Sequence, residues 1–258
     1  MMIVAAMFAT TLSPAEVLWF RLGVPIGSVR MERLQRTVAT SWKDTAAFDD
    51  GALLDRRIAA LESALGSEAA RLIVLRAPLV LASDLENSLP LRINALHELL
   101  PGMSDMASLL ARAPSLLELD LEQSIAPRVR ALEAMLPDTP GVLARTVRRS
   151  PTLLQLIDLE ERLDAVVALL PGVDAPQLVS RAPSLLAYAP EVLERKLGEL
   201  AELFDGADIV GMVRREPSLL TYNVRLNLGA KVATCELHWI PHPHLPPSHW
   251  IPPPHPPP

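Results

Sequence analysis

One hexapeptide recurs along this chain with its spacing nearly fixed. Arg-Ala-Pro-Ser-Leu-Leu occupies residues 112–117 and again 181–186, and looser copies stand at 76–81, 149–154 and 215–220. The five motif prolines, Pro78, Pro114, Pro151, Pro183 and Pro217, are 36, 37, 32 and 34 residues apart. A fixed period in that range belongs to stacked repeats, in which each unit buries its apolar face only against its neighbours. Proline lacks an N–H and has a fixed φ, which suits the first position of a helical turn. It also drives the residue before it out of helical conformation, so a helix should end just ahead of each motif. The paired apolar residues that follow can anchor the turn in a core. An arginine stands two places before every one of these prolines.

A second pattern runs in phase with the first. Apolar residues fall at offsets 0, +4, +7 and +11 in five segments that start at Leu54, Leu89, Ile125, Leu159 and Leu193. All twenty positions are apolar, and the spacing sets them on one helix face. A helix stop follows each stripe: Gly66, Pro101-Gly102, Pro137, Pro171-Gly172 and Asp205-Gly206. A shorter helix should fill the stretch up to the next proline. Its apolar pair lies five and four places before that proline: Ile73-Val74, Leu109-Leu110, Leu178-Val179 and Met212-Val213. The third copy, Thr146-Val147, is half a match. The repeat is therefore a long helix, a short helix and a proline-started turn. Burial of each stripe side chain contributes about 1.5–3 kcal/mol. The expected fold is an all-α helical-repeat solenoid of about five repeats over residues 53–236.

The two ends differ from the repeats. Residues 1–50 form an N-terminal segment whose first twelve residues carry no charged side chain. From Arg21 to Lys43 it has five basic residues and one acid, Glu32. That composition reads as an organelle-targeting region, as an ordinary helical N-terminus, or as the product of a misplaced start. Residues 237–258 repeat His-Trp-Ile-Pro eleven residues apart, at His238 and His249, and ten prolines crowd the last 18 residues. Such a run cannot build a helix or a packed core and is expected to be extended, foreign to the repeats, as an altered exon or translated non-coding sequence would be. Its histidines could hold a metal only loosely, and no metal site or cofactor is expected. The single cysteine, Cys235, rules out an intrachain disulfide framework. No apolar run is long enough to span a bilayer, which takes about 18 residues.

The net charge of −6 conceals a periodic arrangement. The five residues before the motif prolines together hold seven arginines (Arg76, Arg112, Arg148, Arg149, Arg181, Arg214, Arg215) and one acid, Glu216. Positions four to ten after the prolines hold nine acids and one base, Arg225. In a regular stack equivalent positions line up, so one edge should be basic and another acidic. A basic row stepped at the repeat length can follow a phosphate backbone. The same arginines can instead serve the negative end of a helix dipole or pair with the acids of a neighbouring repeat. The doubled sites, Arg148-Arg149 and Arg214-Arg215, are the stronger candidates, with Arg145 one turn before Arg149. Five residues after the motif proline an aromatic stands in only two copies, Tyr188 and Tyr222, too few for a single-strand stacking platform. Backbone recognition of a duplex or structured RNA is the better expectation. No phosphate loop, dinucleotide fingerprint or nucleophile elbow occurs, and the chain is not expected to be an enzyme.

The Pro-x-Leu-Leu turn, its Leu-striped long helix and the period near 34 together resemble the mitochondrial transcription termination factor (mTERF) family, in its plant and algal organellar type. Tetratricopeptide repeats carry Trp, Gly and Tyr at fixed places, and none recurs here; pentatricopeptide repeats lack the Pro-Ser-Leu-Leu turn. The resemblance implies a left-twisting superhelix with a basic, nucleic-acid-binding groove, in a mitochondrion or chloroplast. It also implies regulation of organellar transcription, including termination, or of RNA. The candidate contacts are Arg76, Arg112, Arg145, Arg148, Arg149, Arg181, Arg214 and Arg215. The expected partner is double-stranded DNA or structured RNA, bound by a monomer, with proteins of organelle gene expression as further partners and no membrane. The acidic total charge leaves two alternatives open: a protein-binding scaffold of the same fold, or a truncated copy of the family.

Overall fold

The structure, a computed structural model, describes residues 12–41 and 46–229. The Pro/His-rich segment 237–258 and the first eleven residues lie outside them. The chain divides into two compact units, residues 1–193 and 194–258. The first unit contains α1 (Pro14–Arg21), α2 (Val29–Ala39), α3 (Gly51–Leu65), α4 (Ser67–Arg76), α5 (Leu85–Leu99), α6 (Met106–Arg112), α7 (Ala126–Met135), α8 (Val142–Arg149), α9 (Leu159–Leu169) and α10 (Ala175–Arg181). Helix α11 (Pro190–Leu203) carries the junction, and α12 (Ile209–Arg215) belongs to the second unit. Among the described residues the regular structure is entirely helical, as the sequence pattern predicts.

Every motif proline starts a short 3₁₀ turn: Pro78–Ala82, Pro114–Leu117, Pro151–Gln155, Pro183–Ala187 and Pro217–Thr221. The residue ahead of each proline has the same non-helical backbone, with φ between −139° and −132° and ψ between 61° and 80°. This is the steric effect of the proline ring on its predecessor, and it ends each short helix at the motif arginine. The glycine stops also act as expected. Gly66, Gly102, Gly172 and Gly206 all take positive φ, between 74° and 84°, where a side chain would be strained.

The stripes form the core. Leu54, Leu61, Leu89, Leu96, Ile125, Leu132, Val166, Leu193 and Leu200 are all essentially buried, as are Val74, Leu110, Val147, Val179 and Val213 of the short helices. The third long helix departs from the simple template. Pro127 cannot donate a backbone bond, and the helix opens with a π turn, Leu121–Ile125, closed by the Ala126 N–H on Leu121 O.

Aspartates start most helices. Asp50, Asp84, Asp105, Asp120, Asp174 and Asp208 accept backbone N–H groups of the first turn. Asp84 and Asp120 belong to the acidic row that follows the motifs, so part of that row is helix capping. At the N-terminal side, α1 and α2 pack on the first repeat. Trp19 is 1 % exposed, Arg21 pairs with Asp55 at 2.7 Å, and Arg71 Nε donates to Leu22 O at 2.9 Å.

Candidate nucleic-acid interface

The short helices end in carbonyl groups that have no intrahelical donor, and these ends carry partial negative charge. In the first unit an arginine from the preceding repeat reaches the ends of α6, α8 and α10. Arg76, at the end of α4, donates to Ala111 O at the end of α6. Arg112, at the end of α6, donates through Nη1 to Arg148 O and through Nη2 to Arg149 O at 2.9 Å. Arg149 Nη1 in turn donates to Ser180 O at 3.2 Å and Arg181 O at 3.3 Å, at the end of α10. The motif arginine is thus a staple from one repeat to the next. Its target is neither its own helix end nor a neighbouring acid, the two structural roles that the sequence suggests. A charge-assisted bond of this kind contributes about 1.5–3 kcal/mol when well shielded, and less at an exposed edge. Arg76, Arg112 and Arg149 all remain exposed. Each guanidinium has five N–H donors, and the staple engages one or two of them.

A second row of cations is invisible to the motif reading. Arg57, Arg92, Arg128, Arg162 and Lys196 stand three residues after each stripe start. They bind the proline turn of their own repeat. Arg57 donates to Leu81 O, Arg92 Nε to Leu116 O at 3.2 Å, and Arg128 Nη1 to Leu154 O at 2.9 Å. Arg162 Nη1 reaches Leu186 O at 3.4 Å and Tyr188 O at 3.2 Å; in the second unit Lys196 Nζ reaches Tyr222 O. These side chains are half-buried, and Lys196 is buried. Burial pushes the Arg92 guanidinium below its ordinary value, while the charges of Asp120 and Glu118 pull it back. Burial likewise lowers Lys196, partly offset by Glu199. The sequence signal for this row was present. The +3 position is basic in all five copies, but a cation beside an apolar stripe reads as a solvated neighbour.

The exposed arginines gather most densely at α8. Arg145, Arg148 and Arg149 line one cleft of about 350 Å³ with Pro137, Thr139, Val142, Thr146 and Ser180. None of these residues is acidic. Arg145 Nη1 donates to Pro140 O at 3.2 Å. Among the described residues, the Arg148 side chain enters no hydrogen bond or ion pair. Of the eight sequence candidates, this cleft joins Arg145, Arg148 and Arg149, and Arg112 bonds to the backbone of the last two. Arg76 lies two short helices earlier, and Arg181 ends α10 where Arg149 docks. Arg214 and Arg215 end α12 in the second unit, exposed. Tyr188 is half-buried and Tyr222 exposed, so the two aromatics do not form a matched pair.

Among the described residues there is no helix long and apolar enough to cross a membrane, and no group of three or more His, Cys, Asp or Glu placed to hold a metal ion. The mTERF family model matches residues 60–234, which spans every repeat from within α3 onward. No curated protein matches the chain.

Proposed function

The chain belongs to the mTERF family, whose proteins are in general nucleic-acid-binding regulators of transcription rather than enzymes, and on that premise we propose that it binds double-stranded DNA or structured RNA and regulates organellar transcription, including its termination. The observation that carries the proposal is the exposed edge of staple arginines. Arg76, Arg112 and Arg149 are held at successive repeats by carbonyl groups and keep donors turned to solvent. A guanidinium already fixed by one bond loses little freedom on meeting a phosphate, which favours a row of such groups as a backbone track. The contacts proposed are this row with Arg145, Arg148 and Arg181, and Arg214 and Arg215 in the second unit. The recognition is of backbone and shape, since no recurring aromatic platform accompanies the row. We place the protein in an organelle, as is general for the family; the packing of α1 and α2 on the first repeat favours an ordinary helical N-terminus over a targeting role for Pro14–Ala39.

The test is a fluorescence-anisotropy titration of the full chain against duplex DNA, single-stranded DNA and a structured RNA at several salt concentrations. Binding to the duplex or the structured RNA that weakens with salt, and exceeds binding to the single strand, is the expected result. A folded protein that binds none of the three at low salt overturns the proposal. That result would favour the second reading, a protein-binding scaffold, to which the net charge of −6 already lends support. A fluorescent fusion of the full chain checks the location, and diffuse cytosolic signal would refute it.

A further inference from the structure

The third repeat departs from the other repeats of the first unit at three positions, one of which, Arg148, is matched by Arg214 in the second unit, and all three residues line one cleft. Five places before the motif proline the other repeats carry Ile73, Leu109, Leu178 and Met212, whereas the third carries Thr146. Six places before, Leu72, Ser108, Gln177 and Gly211 are replaced by Arg145. Three places before, Leu75, Ala111 and Ser180 of the first unit are replaced by Arg148. Arg145, Thr146 and Arg148 line the same cleft, with Arg149, Thr139 and Ser180 around them.

Thr146 is 1 % exposed, and its Oγ1 has no hydrogen-bond partner. A buried hydroxyl without a partner is costly, and its place in a native core calls for an explanation. Here the threonine that carries it lines a cleft together with three guanidinium groups and two further hydroxyls, with no carboxylate. That set of donors suits one chemical class, a tetrahedral oxyanion with several acceptor oxygens. A helix C-terminus ordinarily repels an anion. At α8 the objection is removed locally, because Arg112 covers the carbonyls of Arg148 and Arg149, and the Ser150 N–H covers that of Thr146.

We propose that this cleft is a phosphate seat, formed by Arg145, Arg148, Arg149 and the Thr146 hydroxyl, and that it fixes one phosphate of the bound nucleic acid at the third repeat. The proposal deepens the function proposed above and rests on it for the source of the phosphate. A free phosphate ion offers the same chemistry, and the experiment separates the two.

The full chain is titrated with duplex DNA and structured RNA by fluorescence anisotropy over a range of salt, and with inorganic phosphate by calorimetry at low ionic strength. Three proteins are compared: the parent, Arg145→Gln/Arg148→Gln, and Thr146→Val. For the double variant, polymer affinity should fall about tenfold or more, as for lost charge-assisted bonds. The slope of log affinity against log salt should flatten by about 0.9, one phosphate contact. Thr146→Val restores the apolar template. It should raise Tm while weakening phosphate or polymer binding several-fold, and a purely structural threonine would not give that pair of changes. A folded double variant with parental affinity and slope overturns the seat and leaves the proposed function standing. Inorganic phosphate bound by the parent and lost in the double variant, with no polymer bound by either, supports the seat and overturns the nucleic-acid function. Absence of both overturns both.

Discussion

Two rows of cations run through these repeats, and they differ in what surrounds the charge rather than in what the charge touches. Both rows end on backbone carbonyls. The long-helix row, Arg57, Arg92, Arg128, Arg162 and Lys196, closes each repeat on its own proline turn and is withdrawn from water. The short-helix row, Arg76, Arg112 and Arg149, ties a repeat to the next and stays exposed. The same bond therefore has two uses. In the first row it satisfies carbonyls of fully buried residues at Leu81, Leu116 and Leu154, so its loss there should be felt in stability. In the second it orients a cation that solvent, or a ligand, can still reach, so its loss should be felt in binding as well.

The sharpest way to break this contrast is Arg92→Ala. Leu116, whose carbonyl it serves, is fully buried, so the substitution strands an acceptor and should destabilise the protein by about 2–3 kcal/mol. Chemical denaturation reads this as a lower midpoint. Arg92→Lys, which copies the arrangement of Lys196, should lose less than half as much; an equal loss would show that the carbonyl bond is not what matters. Arg112→Ala comes next. It removes two bonds at an exposed edge and should cost about 1–2 kcal/mol. Unlike Arg92→Ala, it should also weaken nucleic-acid binding at temperatures where the protein is fully folded. If Arg92→Ala weakens binding equally under those conditions, the division between the rows fails.

Arg148→Gln is the reverse control. Its side chain is exposed and unbonded among the described residues, so stability should change by no more than about 0.5 kcal/mol. Any effect belongs in the salt-dependent affinity. The smallest effect is expected from Asp158→Asn. The hydrogen bond from Arg162 Nε, 2.8 Å long, holds the Asp158 carboxyl below the usual carboxylate range. Its stabilisation is present above the unfolded-state value, about 3.9, and is lost as pH falls through the lower folded-state value. The Tm difference between parent and variant should be slight at neutral pH and vanish near about pH 2. A difference that persists there would assign the effect to packing.

The architecture was legible because its determinants are side chains with strong local consequences. Proline ends one helix and starts a turn, glycine accepts positive φ, and a leucine stripe at helical spacing has only one way to be buried. Pro78 and Gly66 can be interpreted without knowing what lies across from them. The arginines cannot. Their acceptors are carbonyl groups, which every residue carries, so nothing in the sequence near Ala111 or Leu154 announces that it will receive a guanidinium. The basic edge could be counted in advance, but its division into staples and unbonded groups depends on which helix end lies within reach. Thr146 was legible as an irregularity in the apolar pair, and only the cleft beside it gives the irregularity a meaning. The acidic row was legible as a row, yet Asp84 and Asp120 cap helices within it, a local role that their periodic placement masked.

The inter-repeat staple has a further consequence for how such a chain can change over time. An arginine that docks on a carbonyl makes no demand on the side chain that carries it, and the three receiving sites here, Ala111, Arg148-Arg149 and Ser180-Arg181, have little else in common. The coupling is generic, like a standard thread that fits any nut. A whole repeat could be copied, removed or exchanged without a matching change in its neighbours, and the residues beside each joint would be left at liberty to take on new work.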